Sequence, residues 1–135
     1  MAIATCIEAC PAHKIKRRTV ANAGAIPKGT VLRLLTPNTA SASTANSEVF
    51  GGIALEEKVL SDGITEISVA MGGKWNMTTT AAALTAGDMV SIGGANSVEK
   101  AVEADFPLGT NVGRVLVAIG GGGGIAVVEV GVALW

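Results

Sequence analysis

The stretch VLVAIGGGGGIAVVEVGVALW, residues 115–135, decides how this chain folds. Five consecutive glycines, 120–124, separate two aliphatic runs. In the second run Ala126, Val128, Val130, Val132 and Leu134 alternate with Ile125, Val127, Glu129, Gly131 and Ala133, so one face is wholly apolar and the other mixed. Before the glycines, Val115, Val117 and Ile119 alternate with Arg114, Leu116 and Ala118. A period of two belongs to a strand with one buried face. Two such strands joined by a short glycine loop predict a β-hairpin. A phosphate loop would need the glycines to run into a helix, with a Lys-Ser or Lys-Thr pair for the phosphates and metal. Here β-branched residues follow, and no Lys lies after Lys100. The glycines are a turn.

Working outward, the same signals recur. Pro27 and Gly29 predict a turn before a strand at 31–35, and a further strand ends near Val20. Residues 50–55 read as a strand bulged at Gly51 and Gly52. In 64–71, Thr65, Ile67, Val69 and Met71 alternate with Ile64, Glu66, Ser68 and Ala70. Turns are expected at Gly72-Gly73, Gly87-Asp88 and Gly93-Gly94, with a strand at 89–92. Residues 97–105 fit either a helix capped by Ser97 or a strand through Val98, Lys100 and Val102. The stretch TPNTASASTANS, 36–47, lacks large apolar groups and is expected to be an exposed loop. A faint echo links IPKGTVLRLL to LTAGDMVSIG, each followed by a glycine-led aliphatic strand, Gly52-Ile53-Ala54-Leu55 and Gly113-Arg114-Val115-Leu116. It fits a duplicated unit and equally any glycine-turned β chain. The expected fold is all-β: a small barrel or sandwich over residues 21–135, with residues 1–20 as an extended N-terminal arm.

Composition narrows the functional classes. The 135 residues are 49% hydrophobic, largely through Ala and Val, with two Phe, two Trp and no Tyr. Charged residues make up 16%, below the ~25% usual for soluble domains, which favours burial against copies or partners. No apolar stretch reaches the ~18 residues of a membrane helix. The N-terminus has its basic residues after its apolar part, the wrong order for a secretory signal, so synthesis and assembly in a cytoplasm are expected. Net charge is −1, without a global pull toward nucleic acid or membrane. Yet Lys14, Lys16, Arg17 and Arg18 hold four of the ten positive side chains.

Chemistry is sparse. Cys6, Cys10 and His13 offer three soft ligands, but no fourth is evident for a structural zinc, and a Cys6–Cys10 disulfide would close too small a loop to stabilise much. They read as residues of an arm that packs against something. No G-x-S-x-G occurs, and nothing pairs His13 with a Ser or Thr. Adjacent Glu56 and Glu57 would face opposite ways on a strand. Neither a catalytic constellation nor a cofactor or metal site is read, and no enzyme is expected. The run HKIKRR could meet phosphates, but it lacks an aromatic partner for stacking.

With the turns laid out, the order GTVLRLL, polar loop, FGGIALEE, ITEISVAMGGKWNM, LTAGDMVSI, NVGRVLVAI and a closing strand resembles a family of small tailed-phage proteins. These are capsid decoration (cement) proteins, some carrying an old label as RecA-like recombinases. The likeness runs from about residue 25 to the C-terminus and rests on the AGD-x-V turn and the two glycine-led strands. It implies a compact β-barrel or β-tulip, usually a homotrimer, at three-fold and quasi-three-fold positions outside an icosahedral shell, with the major capsid protein as partner. The recombinase label does not fit, for want of a phosphate loop, a Walker aspartate and sufficient length. The arm would add to shell strands, with Lys14, Ile15, Lys16, Arg17 and Arg18 meeting acidic shell surface, and Trp135 would be buried between subunits. Loss of residues 1–18 is then expected to spare the fold and abolish shell binding. A phage tail or baseplate β-module, or a nucleic-acid-binding barrel using Lys14 to Arg18, are the alternatives.

Overall fold

The computed structural model describes residues 4–8, 14–21, 24–36, 38–45, 48–59, 61–79, 83–101, 111–117 and 124–130. Residues 120–123, Cys10, His13 and Trp135, and with them four of the five glycines, two of the three soft ligands and the expected aromatic interface, lie outside the described residues.

The described chain is built from strands: β1 (Thr5–Glu8), β2 (Ile15–Thr19), β3 (Val31–Thr36), β4 (Thr39–Ala42), β5 (Phe50–Ala54), β6 (Glu66–Ala70), β7 (Gly73–Thr79), β8 (Met89–Gly94), β9 (Ser97–Lys100), β10 (Asn111–Val117) and β11 (Gly124–Val130). The all-β barrel class expected from the alternation is what forms. It forms twice. Strands β2-β4-β3-β5-β6 close one barrel, and β7-β11-β10-β8-β9 close a second through the β7–β9 pairing, with β1 added to β7. The expected hairpin across the glycines is present as the antiparallel β10–β11 pair. Ala126, Val128 and Val130 are buried along β11 while Ile125 faces solvent, as the alternation requires.

The two barrels are copies of one plan. In each, the first strand runs parallel to the third and antiparallel to the fifth, β2 with β4 and β6, β7 with β9 and β11. The turn before the second strand repeats bond for bond. The Thr30 amide donates to Pro27 O and the Asp88 amide to Thr85 O, both at 3.1 Å. The Gly29 amide donates to Ala54 O and the Gly87 amide to Val115 O, both at 2.8 Å. Gly29 and Gly87 have φ of 92° and 93°, the left-handed region that makes glycine the natural occupant of this turn. The echo between IPKGTV and LTAGDMV is therefore a structural duplication, and Gly52 and Gly113 occupy matching places in β5 and β10.

Several expectations give way here. One barrel over 21–135 becomes two, because strands β4 and β7 were not legible as strands. β4 falls in the expected loop 36–47; its Ala40 is buried in the first barrel, since a small barrel accepts small inward side chains. β7 begins at Gly73 and carries Trp75 and Met77 into the core. The turn expected at Gly93-Gly94 lies at Ala95-Asn96 instead, with both glycines inside β8. Ser97 to Lys100 is the strand alternative, not the helix. The described part of 1–20 is not a projecting arm: β2 is a stave of the first barrel and β1 pairs with β7. A stave contributes its backbone bonds to barrel closure, so it cannot also hang free.

The barrels share a core. Val31, Phe50, Ile53 and Ala70 of the first pack with Trp75, Met77, Val90, Ile92, Val98, Val112, Val115, Ala126 and Val128 of the second. A smaller cluster of Val20, Ile26, Leu32, Ala40, Ala54, Ile67 and Val69 fills the first barrel alone. At the joint, the turn after β8 reaches across: Asn96 Oδ1 accepts from the Val31 amide at 2.9 Å, and Ser43 Oγ donates to Gly94 O at 2.9 Å.

Candidate functional site

The basic run expected to make contacts lies on β2 and the residue before it. Strand alternation sends Arg17 to one side of β2 and Lys16 and Arg18 to the other, so the charges of the run do not all share one face. Arg17 lies outside the barrel beside β6. Its Nε donates to Glu66 Oε1 at 3.0 Å, and its Nη1 donates to Ser68 Oγ at 2.9 Å and to Glu56 Oε1 at 3.4 Å. The bond to Glu66 holds the guanidinium pKa above its ordinary value, with the nearby Glu56 charge adding to it. Arg18 turns the other way and is half-buried, its Nε donating to Gly51 O at 3.4 Å and its Nη1 to Asn38 Oδ1 at 3.5 Å. Lys14 lies across Gly72, where a Cβ would come within 2.7 Å of its Cδ. Lys16 is exposed. The run is thus split: Arg17 is matched by carboxylates, Arg18 serves the barrel wall, and Lys16 faces solvent.

Ile15, the apolar member of the run, is 40% exposed and lines a groove of about 670 Å³ where the two barrels and β1 meet. Trp75, Leu55 and Pro27 contribute apolar surface, Cys6 a thiol, and Lys28 and Glu57 one charge of each sign. Trp75 is placed by its indole N–H, which donates to Gly72 O at 2.9 Å and leaves the ring 3% exposed. Trp75 belongs to the core that the two barrels share. A mostly apolar groove with balanced charge is suited to an uncharged side chain or short strand, not to a phosphate.

Glu56 and Glu57 do not converge. Glu56 accepts from Arg17 and from the Ser68 amide at 3.0 Å, while Glu57 lines the groove. Among the described residues, no group of three or more His, Cys, Asp or Glu side chains is arranged to hold a metal ion. No helix of the described chain is long and apolar enough to cross a membrane. Sequence reasoning missed the groove altogether, because its walls come from five separated segments and only folding brings them together.

No protein-family model matches this chain, and no curated protein matches it.

Proposed function

We propose that this chain is a structural virion protein, a decoration protein that binds the outside of an icosahedral phage shell as a homotrimer and stabilises it. The observation that carries this reading is the spread of large exposed apolar side chains over both barrels. Leu35 and Val49 are both exposed on the first barrel, where the Leu34 amide donates to Val49 O at 2.8 Å. Val117 and Ile125 are exposed by 56% and 59% on the β10–β11 hairpin, and Ile7 and Ile15 flank the joint. Such scattered apolar contacts suit a protein that touches several neighbours at once, each contact weak and multiplied by symmetry. The sequence resemblance supports the same role and supplies the major capsid protein as partner. Against the nucleic-acid alternative stands the engagement of Arg17 by Glu66, Glu56 and Ser68, which takes one of the run's four cations away from phosphate neutralisation.

The test is to band large particles from the native source on a density gradient and quantify the chain in the shell fraction. A copy number comparable to that of the major shell protein is expected. A handful of copies would indicate a tail or baseplate module, and absence would overturn the reading.

A further inference from the structure

The duplication makes a prediction about an empty place. Matching the repeated turns, and the parallel pairs Thr19–Thr39 and Thr78–Ser97, sets β2 on β7 with Ile15, Lys16 and Arg17 at the positions of Lys74, Trp75 and Asn76. In the second barrel one edge of β7 is occupied twice. β9 pairs at Thr78 and Thr79, and β1 pairs antiparallel at Lys74, Trp75 and Asn76. In the first barrel the matching edge of β2 is occupied once, by β4 at Thr19. Among the described residues nothing pairs with the edge at Ile15, Lys16 and Arg17, and all three residues are exposed. Barrel closure removes the other edges of this barrel, so this short segment is where an added strand would find unpaired backbone donors and acceptors.

We infer that the open edge of β2 at Ile15–Arg17 receives an extended strand from a partner polypeptide, as β7 receives β1, with a carboxylate of that strand opposite Lys16. The backbone supplies the affinity and the side chains the choice of partner. Arg17 is already matched by Glu66 and Glu56, whereas no ion pair engages Lys16 among the described residues. The incoming charge that completes this edge is therefore negative and sits across from Lys16. The inference rests on the decoration reading only in naming the shell subunit as that polypeptide.

The probe is a pair of capped eight-residue peptides alternating Thr and Val, one with a central Glu and one with a central Lys, titrated into the full chain labelled with nitrogen-15. The Glu peptide is expected to shift the Ile15–Arg17 amides and slow their hydrogen exchange. Lys16→Glu should weaken the Glu peptide roughly five- to tenfold and reverse the preference toward the Lys peptide. Lys100→Glu, on β9 of the second barrel and outside the groove that Ile15 lines, should change neither. Absence of shifts at Ile15–Arg17, or equal losses from both substitutions, would overturn the inference. Shell association of the wild type and of Lys16→Glu is measured alongside. Loss of shell binding in Lys16→Glu supports the shell subunit as occupant, and undiminished binding excludes it. A wild type absent from shells ends the decoration reading while the peptide result stands by itself.

Discussion

At the scale of single residues, two polar side chains do work that no hydrophobic pattern announces. Asn96 has φ of 54°, a left-handed conformation that Asn tolerates better than most residues. Its Oδ1 accepts from the buried Val31 amide and its own amide donates to Ser43 Oγ at 3.0 Å, so one residue stitches barrel to barrel. Asn96→Ala should strand the Val31 amide and strain the turn, at a cost of about 2 kcal/mol in chemical denaturation. Lys58 is 1% exposed, with Nζ donating to Asp62 Oδ1 at 3.3 Å and to Val59 O at 3.2 Å. Asp62 also accepts from the Ile64 and Val59 amides, and these bonds, the Ile64 one foremost, hold its pKa below the ordinary carboxylate range. Asp62→Asn weakens the pairing of a buried ammonium and should lower the midpoint of chemical denaturation. A carboxylate whose folded pKa is depressed stabilises fully above its unfolded pKa, and that contribution is lost as pH falls through the folded value. Asp88, held low first by the Thr85 amide, behaves alike. So does Glu48, where burial pushes the pKa up but the Thr44 and Ala45 amides and Arg33 outweigh it. Thermal melts should thus be flat above about pH 5 and fall steeply below the usual carboxylate range near ~4, with a shallower acid limb in Asp62→Asn.

At the scale of elements, the glycine-led strands have a steric cause. Gly52 and Gly113 mark where the fourth strand of each barrel presses on the fifth. A Cβ on Gly52 would meet Val69 Cγ2 at 2.7 Å, and one on Gly113 would drive into the Glu129 carbonyl. Backbone cannot step aside as a side-chain tip can. Gly113→Ala should therefore cost about 1–3 kcal/mol, whereas Gly24→Ala, whose nearest neighbour would be 3.9 Å away, should stay within about 0.5 kcal/mol. Paired denaturation curves decide this. Strands with strong alternation, β6 and β11, were legible because each has one face in the core. β4 was not, since Thr-Ala-Ser-Ala carries too little apolar bulk to declare an inward face. β7 was overlooked although Trp75, Met77 and Thr79 alternate with Lys74, Asn76 and Thr78, because Gly72-Gly73 at its start reads as a turn and the threonines after Met77 add little apolar bulk.

At the scale of the whole molecule, the duplication changes the role of the N-terminal segment. The sequence suggested that residues 1–18 could be removed without harm to the fold. Yet β2 pairs with β6 from Ile15 to Thr19, and the Ala4 amide donates to Gly29 O at 2.9 Å while β1 runs along β7. Deleting 1–18 opens the first barrel and strips the strand that ties both barrels together. The truncated chain should lose cooperative unfolding in calorimetry and gain exchange at β6 amides, and an unaltered melt would contradict that role. Loss of shell binding on truncation would then report unfolding, so point changes on the β2 edge are the cleaner probe.

By itself the sequence determined the all-β class, the antiparallel pairing of the two strands that flank the glycines, the inward faces of the strongly alternating strands and the hint of a repeat. These are local matters: side-chain period, φ freedom at glycine and backbone donors lost at proline act within a few residues. Only the tertiary structure decided that there are two barrels, that the basic run is divided between a carboxylate pair, a barrel wall and solvent, and that one edge lies open. Those outcomes depend on which distant strands close on one another. Thr19 meets Thr39 and Arg17 meets Glu66 through barrel closure, which no window of neighbouring residues contains.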